Sequence, residues 1–141
     1  MKVIGIDYGR ARVGISLSDP TGTIAQPLGV LPNTPKILDE IAKLATSHGV
    51  EMIVVGLPLN MNGEEGEMAR ETRDFARRLH RVTGLPVEMF DERLTSWEAH
   101  QIMKEAGLTR KKRSRLADKL AATIILQRYL DKRYALGSRH R

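Results

Sequence analysis

The first 33 residues hold three strand-like segments and no helix, and that order constrains the fold more than any other feature of the chain. Residues 2–8 (KVIGIDY) form an apolar run of the buried-strand type. Residues 12–18 (RVGISLS) alternate and read as the hairpin partner, with Gly9-Arg10-Ala11 as the turn. A third strand is expected from Thr23 to Leu31, after the turn Asp19-Pro20-Thr21-Gly22. Pro27 assigns it to a sheet edge, because proline donates no ladder hydrogen bond.

Beyond this meander, helices and strands alternate. Thr34-Pro35 reads as a helix start, Thr as N-cap and Pro in the first helical position. Ile37, Leu38, Ile41, Leu44 and Ala45 then repeat at helical spacing until Gly49. VEMIVVGLP (50–58) is apolar on both faces, the pattern of a central parallel strand. A polar loop (59–66) leads to a helix striped by Met68, Thr72, Phe75, Leu79 and Val82, which Gly84-Leu85-Pro86 stops. VEMFD (87–91) is another strand, and Thr95-x-x-Glu98 is a capping box that opens a helix ending near Gly107. A basic loop (109–115) precedes a last helix of about 18 residues.

The order β-β-β-α-β-α-β-α-α excludes a dinucleotide-binding fold, which opens β-α-β. An antiparallel three-strand meander that leads into parallel strands flanked by helices is the ribonuclease H-like α/β arrangement. At 141 residues, a single domain over 1–141 is expected, with the basic loop 109–115 and a short basic tail at 132–141.

Three acids stand where an acid is costly without a task. Asp7 interrupts the apolar run VIGID. Strand alternation puts it on one face with Val3 and Gly5, and Gly14, Ser16 and Ser18 share a face on the neighbouring strand. The plainer reading is a strand-ending Asp that hydrogen-bonds the Gly9 turn. Asp118 falls opposite the polar side of the last helix (Lys119, Thr123, Gln127) and in line with Ala121, Ala122 and Ile125. Small alanines there let the helix approach the sheet closely, although an acid in a first helical turn is also common. Glu92, in Asp91-Glu92-Arg93, sits between a strand end and a helix start, where α/β folds place sites. The plainer reading of Glu92 is a surface acid paired with Arg93; Asp91 also competes with it, and spacing alone leaves that choice open. Acids from distant segments meeting at one sheet edge suggest a divalent-metal site and phosphodiester chemistry.

Charge points to the same chemistry. The net charge is +6, but residues 1–92 carry 10 Lys/Arg against 13 Asp/Glu, and residues 93–141 carry 13 against 4. A basic third on a slightly acidic body suggests a polyanion partner, nucleic acid first. Five cations crowd residues 110–115 (Arg110, Lys111, Lys112, Arg113, Arg115), just before Asp118, where they would grip flanking phosphates. Arg12 is a further phosphate contact or a partner for an acid. Such a run is also often a solvated face. Arg70, Arg73, Arg77 and Arg81 recur on one helix among Glu71 and Asp74, the pattern of a solvated helix face.

The chain has no cysteine, which excludes disulfides, thiolate zinc sites and cysteine nucleophiles. Its four histidines show no metal-ligand spacing. No apolar stretch approaches the roughly 20 residues of a membrane span, and the sequence opens directly on a strand, so a cytoplasmic protein is expected.

GIDYGRARVGISLSD, VVGLPLNMNG, DERLTS and the Asp118-x-x-Ala-Ala stretch together resemble the YqgF (RuvX-like) family, in order and spacing over nearly the whole chain. The resemblance implies a ribonuclease H-like fold and a nuclease that matures the 5′ end of pre-16S ribosomal RNA. It implies catalytic and metal-binding acids at Asp7, Glu92 and Asp118, which selects Glu92 over Asp91. One or two Mg²⁺ or Mn²⁺ ions would be the cofactor. Precursor ribosomal RNA ranks ahead of branched DNA as the partner. The alternatives are a Holliday junction resolvase and a non-catalytic module that docks on RNA or assembling ribosomes. Either a monomer or a homodimer is compatible with the sequence.

Overall fold

The computed structural model describes residues 1–93, 101, 104–107 and 110–139, without the side-chain surroundings of 110–119 and 136–139. Five strands, β1 (Val3–Tyr8), β2 (Arg12–Ser18), β3 (Ala25–Pro32), β4 (Met52–Leu57) and β5 (Val87–Asp91), form one sheet in the order β3-β2-β1-β4-β5. β1, β2 and β3 pair antiparallel, whereas β1-β4 and β4-β5 pair parallel. The meander thus becomes a parallel sheet, as the element order predicts. β4 is buried along its whole length between two neighbours. β3 takes the edge, and its register with β2 slips between Ile15 and Ser16, opposite Gly29 and Pro27.

Helices α1 (Ile37–Ser47) and α2 (Glu67–Thr83) cover one face of the sheet. There Ile4, Ile6, Val13, Ile15, Ile53 and Val55 meet Ile41, Phe75 and Leu79. The opposite face carries a smaller cluster, in which Val3, Met52 and Val54 pack against Ile125, Leu126 and Leu130 of the last helix, α3 (Arg110–Arg139).

Local chemistry sets the boundaries. Gly9 is required in its turn, since a Cβ there would stand 2.5 Å from the Arg12 carbonyl oxygen. The Asp19 carboxylate accepts the backbone N–H groups of Thr21, Thr23 and Ile24 and the Thr21 hydroxyl, fixing the β2–β3 turn. Thr34 Oγ1 accepts the Lys36 N–H at 3.2 Å, so Thr34 does cap, but a turn two residues ahead of the regular helix. On α2 the buried stripe is Ala69, Thr72, Phe75, Ala76 and Leu79, and Val82 is 44% exposed, so the apolar seam ends one turn before the helix does.

The main departure lies at the C-terminal end. Residues 110–115 are helical, not a loop, and the helix continues through the expected tail to Arg139, 30 residues instead of about 18. No Pro occurs after residue 86, and the segment is rich in Lys, Arg, Leu and Ala, all strong helix formers. Repulsion between its cations costs only tenths of a kcal/mol per pair and does not break it. The helix expected over 95–107 lies largely outside the described residues.

Candidate functional site

β1, β4 and β5 end together at one edge of the sheet, and two of the three acids meet there on the α3 face. Asp7 stands directly across from Gly14 on β2. On the other side, the register Ile6–Val55 brings Gly56 of β4 next to it. The carboxylate therefore has a glycine on each flanking strand. This is the small, open floor that alternation predicts.

Glu92 follows β5, and its N–H donates to the Leu57 carbonyl at 3.2 Å, which folds it across the end of β4. Its carboxyl group then lies over Gly56, where a Cβ would stand 2.6 Å from Glu92 Oε2 and 2.5 Å from Ile125 Cδ1. Glu92 is only 9% exposed, and its Oε2 is buried without a hydrogen-bond partner among the described residues. Burial raises its carboxyl to about 8, helped by the charge of Asp7, a hydrogen bond with Asp7 and the charge of Asp91.

Asp91 has a different role. Burial alone would raise it, but hydrogen bonds from the Arg93 side chain and backbone, with the Arg93 charge, hold it below the ordinary range. The pair is close, with Arg93 Nη2 at 2.8 Å from Asp91 Oδ2. The same guanidinium donates to the Met61 carbonyl at 3.3 Å, tying the 59–66 loop to the site. Spacing could not separate Glu92 from Asp91, because alternation fails where a strand ends. The Leu57 contact and the Arg93 pair separate them.

α3 runs antiparallel to β1. Leu126 and Leu130 pack with Val3. At Gly5, an added Cβ would stand 2.6 Å from Leu126 Cβ and 3.1 Å from the Ala122 carbonyl oxygen. Buried Ser16 donates to that carbonyl at 2.8 Å, locking the helix against β2. Two strand residues rise about 6.6 Å and four helical residues about 6 Å. One step beyond Gly5 and Ala122, the strand reaches Asp7 and the helix backbone reaches Asp118. The Asp118 side chain lies outside the described residues, as do those of Arg110, Lys111, Lys112, Arg113 and Arg115. Arg12 is exposed at the start of β2, on the same face as Gly14 and two residues from it, at the rim of the site.

Among the described residues no three acids converge on one point. The described pair still fits a hard divalent cation: two carboxylates side by side, one oxygen buried and unsatisfied, on a floor of glycine. Arg93 and Gly56 did not stand out in the sequence as site residues, and Ser16 did so only as part of the floor beside Asp7. For Gly56 the signal was there, a glycine inside an otherwise apolar parallel strand, which marks a close approach.

Residues 1–132 match the family model RuvX, described as Holliday junction resolvase. A candidate pre-16S rRNA nuclease of Syntrophomonas wolfei is 47% identical over 133 residues, covering 93% of this chain and 94% of that protein. Its counterpart in Moorella thermoacetica is 46% identical over 134 residues, covering 94% and 96%. Among solved structures, Thermus thermophilus RuvC in complex with Holliday junction substrate superposes with a TM-score of 0.59 at 20% identity, covering 95% of this chain and 96% of that one. At that identity the likeness establishes the ribonuclease H-like fold.

Proposed function

Because this chain belongs to the RuvX family, we propose that it is a metal-dependent endonuclease that processes the 5′ end of pre-16S ribosomal RNA, with Asp7, Glu92 and Asp118 as its catalytic acids. One observation carries the reading: the buried Oε2 of Glu92, without a hydrogen-bond partner among the described residues, beside Asp7 and over Gly56. An oxygen in that state is costly unless an ion completes it.

Asp7, Glu92 and Asp118 would hold one or two Mg²⁺ or Mn²⁺ ions. Bound there, such ions supply a water nucleophile at neutral pH and offset charge on the leaving 3′ oxygen. The chain supplies the rest. Glu92 must release its proton for the site to become fully anionic, and its burial beside Asp7 sets how readily it does so. The Gly14 and Gly56 floor leaves room for a phosphodiester to approach the acids. Arg12 and the cations of Arg110–Arg115 hold the flanking phosphates, which fixes the strand without reading its sequence.

The test is cleavage of an end-labelled precursor 5′ leader in Mg²⁺ or Mn²⁺, with Asp118→Asn as control. Cutting by the parent and none by the variant, with binding largely kept, is the expected result. Binding lost in step with cleavage would count against the proposal. The family model's own description favours a second substrate, a four-way DNA junction, which belongs in the same assay. If neither is cut while both are bound tightly, the chain is a docking module.

A further inference from the structure

A groove of about 540 Å³ lies on the face opposite α3, between α2 and the edge strand β5. Its charged lining is entirely cationic, Arg73, Arg77 and Arg81, with His80 beside them. Val87 and Met89 supply an apolar floor. Most other arginines near α2 have an acid to themselves: Arg10 pairs with Glu71, Arg73 with Glu65 and Arg78 with Asp74. Arg77 and Arg81 have no acidic partner among the described residues, and both are exposed. They stand one turn apart, facing the groove.

The groove also has a direction. β5 ends at Asp91, beside Glu92, and Arg73 is tied to Glu65 of the loop at that same sheet edge. From there the row Arg73, Arg77, Arg81 runs back toward Pro86, at the start of β5, over about 12 Å. It is a cationic track leading away from the acids on the far side of the sheet edge. A second copy of this chain would bring like charges together there. Nucleic acid offers phosphates for the arginines and flat apolar faces for the floor.

We infer that the groove between α2 and β5 is an anchoring track for the RNA strand beyond the cut site, with Arg77 and Arg81 as its phosphate contacts. This rests on the nuclease reading for the identity of the polymer, but not on any cleavage. The test is binding of the 5′ leader in EDTA, by anisotropy over a range of salt, for the parent, Arg77→Gln/Arg81→Gln, Arg77→Lys/Arg81→Lys and Arg78→Gln. The Gln pair is expected to bind the full leader roughly tenfold more weakly, with a salt slope smaller by about 1.4, since each single-strand phosphate contact contributes about 0.7. The Lys pair should restore most of that affinity, and Arg78→Gln should behave as the parent. A short oligonucleotide spanning only the cut site should be bound alike by all four. Unchanged affinity and slope on the full leader would overturn the track, as would an equal loss on the short oligonucleotide. Binding that depends on the groove without any cutting in Mn²⁺ would sink the nuclease alone. Cutting by a protein indifferent to the Gln pair would sink the track alone.

Discussion

Glu92 illustrates how one side chain couples stability to chemistry. Its carboxyl is raised from 4.5 to about 8, so the folded protein keeps a proton that the unfolded chain has already lost. Its contribution to stability is therefore present below about pH 4.5 and is withdrawn as pH rises through 8. Metal-free protein should lose stability across that window, by an amount on the order of a few kcal/mol. Thermal unfolding in EDTA from pH 5 to 8.5 measures it, and Glu92→Gln should flatten the slope while abolishing cleavage. A slope unchanged in the variant would assign it to another group. Divalent cation should reverse the loss in the parent and do little for Asp7→Asn. At this scale the sequence was partly legible. Asp7 announced itself by breaking an apolar run. Glu92 and Asp91 could not be told apart until the Leu57 carbonyl and Arg93 had claimed one each.

At the scale of elements, the site depends on how closely α3 lies on the sheet. Gly5 and Gly56 make that approach possible, because a methyl on either would meet atoms of α3 at 2.5–2.6 Å. Gly5→Ala should cost about 1–3 kcal/mol in chemical denaturation, since the helix backbone at Ala122 can yield only by leaving Ser16. Gly56→Ala intrudes on Glu92 as well, and should cut activity more than stability; the ratio of kcat loss to the shift in denaturation midpoint reads this directly. Strands and their pairing were legible because hairpin chemistry and apolar runs are local. The length of α3 was not. Charge density over 110–115 resembles a loop, and helix propensity overrides it because the repulsion is weak and Lys, Arg, Leu and Ala, which dominate the segment, favour helix.

The whole molecule separates its charge. The body through residue 92 is slightly acidic, the remainder strongly basic, and no described helix is long and apolar enough to cross a membrane. The cations of Arg110–Arg115 occupy the N-terminal turns of α3, where the helix dipole disfavours positive charge and no acid is present in the first turn. They weaken the helix start, so a role in holding phosphates, as proposed, is separable from any role in the fold. Replacing Lys111, Lys112 and Arg113 with Gln should hold or slightly raise the melting temperature and lower RNA affinity, with the salt slope reduced by about 2. Falling stability together with affinity would mean that the cluster is structural. The charge imbalance was plain in the sequence. The basic groove beside β5 was not, because Arg77 and Arg81 continue a row, Arg70 and Arg73, that is interleaved with Glu71 and Asp74, and only the helix surface sorts them.

A single uninterrupted helix carries both the segment packed on Val3 and Asp118, the third proposed acid, and this limits which changes of chain length the protein can tolerate. One residue inserted or deleted between Asp118 and Ala121 would swing Asp118 about 100° around the axis and leave the buried seam of Ala121, Ala122, Ile125 and Leu126 untouched. Such a chain would fold, melt like its parent and cut nothing. The same change in the polar loop 59–66 would be absorbed by loop backbone. Length variation among descendants of this sequence should therefore collect in that loop and be absent from the two residues, Lys119 and Leu120, between helix seam and acid.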